Sequence, residues 1–153
     1  MNMKLIAIGS RIMGDDGVAI AVAETLCDEL VAEGIPVIIG ETDVAYCLSC
    51  INEGDVIIIL DASVSERPWG TIWQLPLCDA INNCNQNQFQ HDADLLNTLN
   101  RKGQQLSGLL ICVEAADISQ GWGLSQAIQS QIPRICLEIK KIILEFRGDI
   151  KHA

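Results

Sequence analysis

The run Val56-Ile57-Ile58-Ile59-Leu60, entered through Asp55 and closed by Asp61, limits the fold of this chain more than any other stretch. Three isoleucines between a valine and a leucine form a strand, because β-branched side chains fit a pleated backbone and lose freedom in a helix. With no polar alternation, such a strand belongs inside a sheet rather than at a wet face. Leu5-Ile6-Ala7-Ile8, after Lys4, has the same character and reads as a second strand, central and parallel. Further strands are expected over Ile35–Ile39 and Ser107–Val113, and Gly70–Leu75 alternates like an edge strand or hairpin arm.

Helical spacing runs from Asp15 through Val18, Ala21, Val22, Leu26, Leu30 and Val31 to a stop at Gly34. Gly40-Glu41-Thr42-Asp43 reads as a polar loop, followed by a short helix over Val44–Ile51. A second helix covers Ala93–Asn100, with Leu95, Leu96 and Leu99 on one face, and a long one covers Leu124–Phe146, with Pro133 as a point of kinking. Residues 79–92, rich in Asn and Gln, read as a long loop. Strands therefore alternate with helices, the pattern of a three-layer α/β/α sandwich with a mostly parallel sheet of about five strands. With 153 residues and no internal repeat or linker, residues 1–153 are expected to form a single domain.

A net charge of −10 argues against nucleic acid and anionic membrane surfaces as partners and is compatible with metal ions or a basic protein surface. No apolar run is long enough to insert in a membrane, and Met1-Asn2-Met3-Lys4 lacks a signal-peptide pattern, so a cytoplasmic protein is expected. The seven cysteines are then read as thiols rather than a disulfide framework. Cys47-Leu48-Ser49-Cys50 has metal or redox spacing, but with no second pair to match it both are read as small buried apolar residues. The charge carries no oligomer signal, and a monomer is expected.

In an open parallel sheet, ligands bind at the carboxyl ends of the strands. There the first strand delivers Gly9-Ser10-Arg11-Ile12-Met13-Gly14-Asp15-Asp16-Gly17-Val18. A phosphate loop would offer basic residues and free N–H groups. This one offers two adjacent carboxylates, which suit a cation or a proton transfer, and either can cap the helix that follows. Asp61 ends the third strand, and a carboxylate leaving a buried strand needs a partner or a task. His91 stands just before the helix at Ala93. Two carboxylates and an imidazole suit a transition metal such as zinc or nickel. A phosphoacceptor receiver domain is excluded on spacing, since its acidic pair follows strand one directly and its last strand ends in Lys. Here that last strand ends in Glu114-Ala115-Ala116.

The run Gly9–Val18 resembles the opening Gly-Asn-x-x-x-x-Asp-Asp/Glu-Gly motif of the hydrogenase maturation endopeptidases, with Ser10 in place of Asn. Ile57-Ile58-Ile59-Leu60-Asp61-Ala62 is similar to that family's apolar strand ending in Asp-Ala. His91 before Asp94-Leu95-Leu96, and Gly121-Trp122-Gly123-Leu124-Ser125 before the last helix, follow in the family's order. The resemblance spans essentially the whole chain. It implies that Asp16, Asp61 and His91 contact a metal, that Asp16 or Asp61 is the general base, that Thr42 and Asp43 meet the substrate, and that Gly9, Asp15 and Gly17 support the site. It further implies an endopeptidase that removes the C-terminal extension of a nickel–iron hydrogenase large-subunit precursor after nickel insertion. The nickel would come with the substrate; zinc or cadmium could take its place in vitro, and the isolated protein is expected to hold no metal. One loop departs from the pattern: Gly40-Glu41-Thr42-Asp43-Val44 keeps only the first Gly and the Thr of the family's Gly-Gly-Thr-x-Gly. The alternative is therefore a catalytically silent relative that binds a subunit or metal as a maturation chaperone.

Overall fold

The computed structural model describes residues 2–83, 93–102 and 106–153. β1 (Met3–Ile8) leads through a single 3-10 turn (Gly14–Gly17) into α1 (Val18–Ala32). Then follow β2 (Val37–Glu41), α2 (Val44–Ser49), β3 (Val56–Ser63), β4 (Ile72–Pro76), α3 (Leu77–Asn82), α4 (Ala93–Arg101), β5 (Ser107–Glu114), α5 (Gln126–Gln129) and α6 (Ile132–Lys151). The strands form one sheet in the order β2-β1-β3-β5-β4, parallel except for the edge strand β4, which runs antiparallel to β5.

Strand alternation divides the apolar residues between two layers. From β3, Val56, Ile58, Leu60 and Ala62 join the core under α1 and α6, while Ile57 and Ile59 join the core under α2, α3 and α4. Leu95, Leu96 and Leu99 are the buried stripe of α4. At the start of β3, the Lys4 ammonium donates to Asp55 Oδ2 at 2.6 Å and to the Cys50 carbonyl at 2.8 Å, tying β1 to the entry of its neighbour. Among the described residues, no helix is long and apolar enough to cross a membrane.

Several boundaries differ from those expected. β2 starts two residues later than Ile35 and takes in Gly40 and Glu41, because Ile35 is spent in the core and Pro36 only offers its carbonyl to Leu5 N. The expected loop from Asp79 begins instead as α3, and residues 84–92 lie outside the described residues. The long C-terminal helix is two helices. Its chain breaks at Ser130 and Gln131, and Pro133 sits in the first turn of α6, where a missing N–H costs nothing. Neither Asp15 nor Asp16 makes a side-chain cap: both fall inside the 3-10 turn, and Gly17 is the residue that precedes α1.

Candidate functional site

β1 pairs with β3 only as far as Ala7 opposite Leu60, whereas β3 stays paired with β5 through Asp61, Ala62 and Ser63. Asp61 is thus the first β3 residue past the pairing with β1. It lies within the strand rather than closing it, since β5 continues alongside for the same three residues. The 3-10 turn carrying Asp15 and Asp16 packs against β3 where β1 has stopped. Alternation turns Asp61 to the face of Ile57 and Ile59, the face that α4 covers. It is 2 % exposed, and its Oδ1 is fully buried without a hydrogen-bond donor among the described residues.

Asp16 is 4 % exposed and its Oδ2 accepts the Ser10 N–H at 2.8 Å. The turn is tight enough that Gly9 has no alternative. Its φ is +145°, and a Cβ there would lie 2.0 Å from the backbone oxygen of Asp16. Asp15, fully buried, points the other way. Its Oδ2 accepts from Ala116 N at 3.0 Å, Asp117 N at 2.9 Å and Ser125 Oγ at 2.8 Å, and its Oδ1 accepts from Ser125 N at 2.7 Å. The backbones are sewn together alongside by Gly14 N to Gly121 O at 3.0 Å and Gly121 N to Ile12 O at 2.8 Å. The neighbouring carboxylates therefore do different work: one fastens loops, the other stands at the strand end.

A groove of about 470 Å³ opens beside this corner, lined by Gly9, Ser10, Arg11, Ile12, Glu41, Thr42 and Trp122. Trp122 is 78 % exposed and Ile12 is exposed beside it, an apolar rim held out by the Asp15 fastening. Arg11 spans the other rim. It is hydrogen-bonded to Glu24 of α1 and, at 2.9 Å, to Glu41 Oε1, and these carboxylates hold its guanidinium above the ordinary arginine value. Thr42 lines the groove, but the Asp43 carboxylate caps α2 by accepting Tyr46 N at 2.9 Å. Cys47 is buried as expected, with its Sγ where a Cβ on Gly40 would come within 2.3 Å, whereas Cys50 is half-buried rather than buried.

His91, the third member of the expected trio, lies outside the described residues. Among the described residues, no three His, Cys, Asp or Glu side chains converge on a metal position. Two features escaped the sequence reading. Glu114, buried at the end of β5, accepts from Ser63 Oγ at 2.8 Å and Ser65 N at 2.7 Å, while Trp73 Nε1 donates to Ser63 Oγ at 2.9 Å. Its signal in the sequence was the same as that of Asp61, a carboxylate directly after an apolar run. The second is the Arg11–Glu41 link, which joins the loop after β1 to the end of β2, a contact that nothing in their spacing signals.

Solved structures share this architecture over nearly the whole chain. The hydrogenase maturating endopeptidase HybD from E. coli superposes with a TM-score of 0.76 at 19% identity, covering 95% of this chain and 93% of its own. The [NiFe] hydrogenase maturation protease HybD from Thermococcus kodakarensis gives 0.71 at 21% identity, over 93% and 99%. The maturation protease HycI from Thermococcus kodakarensis KOD1 gives 0.64 at 17% identity, over 92% and 91%. No family model matches the chain, and no curated protein does. At these identities the likeness is one of fold: the chain has the α/β sandwich of the hydrogenase maturation proteases.

Proposed function

We propose that this protein is an endopeptidase that trims the C-terminal extension of a nickel–iron hydrogenase large-subunit precursor, recognising nickel already seated in that substrate. The reading rests on Asp61. A buried carboxylate oxygen without a donor costs about 1–3 kcal/mol, and such an atom persists where it has a task. Asp16, oriented by Ser10 N–H, belongs to the turn packed on the same strand. Two hard oxygen donors fit a divalent cation, and with His91 they would leave its shell incomplete, as suits a metal that arrives with the substrate. Either carboxylate is a base for the attacking water. The precursor's peptide would lie in the groove between Trp122 and Thr42, with the acidic surface favouring a basic partner. In this reading the enzyme works as a cytoplasmic monomer.

The test is to mix the protein with nickel-loaded large-subunit precursors and look for the mass loss of the extension. Cleavage by wild type, abolished by Asp16→Ala and by His91→Ala with the fold intact, is the expected result. Retained binding with every precursor left whole would sink the protease reading and leave the silent maturation chaperone. Activity surviving both substitutions would dismiss the metal-contacting trio.

A further inference from the structure

We propose that Glu41 is a positioning residue for Asp16. Its φ of +50° puts a non-glycine residue in the left-handed region, a conformation that strains a side-chain-bearing residue. The position arises from a slip in the β1–β2 register: Ala7 faces Ile39 but Ile8 faces Glu41, so Gly40 is passed over and Glu41 is brought forward against the next loop. Both of its loop contacts fall on the segment that aims Asp16. The Glu41 carbonyl accepts Gly9 N at 3.0 Å, and its Oε1 accepts Arg11 Nε at 2.9 Å. Between those clamped residues, Ser10 N donates to Asp16 Oδ2 at 2.8 Å. Residues 9 and 11 are thus gripped from β2, and residue 10 between them donates to the carboxylate.

A purely stabilising role does not account for this. The Arg11 and Glu41 side chains are 33% and 53% exposed, and an ion pair so open to water adds less to stability than the backbone strain beside it takes away. Without Glu41, Arg11 keeps Glu24 and is drawn toward α1, carrying Ser10 with it.

The kinetic part of this inference rests on the protease reading; the structural part does not. Glu41→Gly keeps the carbonyl that accepts Gly9 N but removes the side-chain latch on Arg11 together with the strain, so it should be at least as stable as wild type in urea, while the Ser10 amide exchanges about fivefold faster. The amides of Ala116 and Asp117, fastened by Asp15, should exchange as in wild type. In the cleavage assay, kcat should fall about tenfold or more with KM moving much less. Glu41→Gln, which keeps an acceptor for Arg11, should recover part of both effects, and Glu145→Gln on the exposed face of α6 should change neither. Unchanged Ser10 exchange in both Glu41 variants would overturn the inference. If wild type cleaves no precursor, the proposed function fails, and the exchange measurement still decides the role of Glu41.

Discussion

Replacing Asp15 by Asn takes away a charge while keeping the volume, at a residue that receives four hydrogen bonds and has no exposed surface. An amide has one acceptor oxygen. Placed at the Oδ2 position, it can keep Ala116 N, Asp117 N and Ser125 Oγ, but its NH2 then faces Ser125 N across the 2.7 Å that Oδ1 spanned. One charge-assisted bond is lost, worth about 2 kcal/mol, and a buried N–H is left facing another, for about 2 more. A loss of about 4 kcal/mol corresponds to a Tm lowered by about 10 °C in a domain of this size. Urea unfolding should show the midpoint lowered at constant m-value, and exchange should quicken at Ala116, Asp117 and Ser125. A loss below about 1 kcal/mol would mean that these loops are held by something other than Asp15, and the reasoning would fall.

Other outcomes follow from the same structure. Burial by itself would raise the Asp55 carboxyl, but the Lys4 ammonium and the Asn52 amide outweigh it and hold it below the ordinary aspartate value. Its stabilisation is therefore complete above that ordinary value and is lost as pH falls through the lowered folded one. Lys4→Met should cost about 3 kcal/mol near neutrality, and its deficit against wild type should shrink on acidification; a pH-independent deficit in acid denaturation series would contradict this. Asp61→Leu should be as stable as wild type or about 1 kcal/mol more so, while cleavage disappears; thermal unfolding and the precursor assay read the two effects separately. Gly9→Ala forces a methyl into the backbone of Asp16 and should cost about 3 kcal/mol with loss of cleavage, and a crystal structure with the turn undisturbed would refute it.

What the sequence revealed was what a single apolar run can encode. The uninterrupted β-branched core of β3, the Leu95, Leu96 and Leu99 stripe of α4, and the stop at Gly34, with its φ of +79°, were all legible because burial or backbone conformation decides them locally. The split between α5 and α6 was not, since Pro133 breaks a helix in its middle but fits the first turn of a new one, and residue order alone does not choose. The reach of β2 into Glu41 depends on a register slip against β1. In the site, the two strand-end carboxylates were visible as residues out of place. Their division of labour was hidden, because the donors that claim Asp15 come from residues 116–125 and the donor that aims Asp16 depends on β2.

The Asp15 fastening also sets an order of events. Its partners lie 101 to 110 residues further along the chain, so closing that loop is among the costliest steps in assembling the corner. A nascent chain displays both carboxylates and β3 long before it holds Ala116, Asp117 and Ser125. Until those arrive, three backbone amides and a hydroxyl that fix the turn are missing, and the groove has no Trp122 rim. The corner that holds Asp15 is thereby completed late, and a half-made chain carries that acid without the donors that fix its turn.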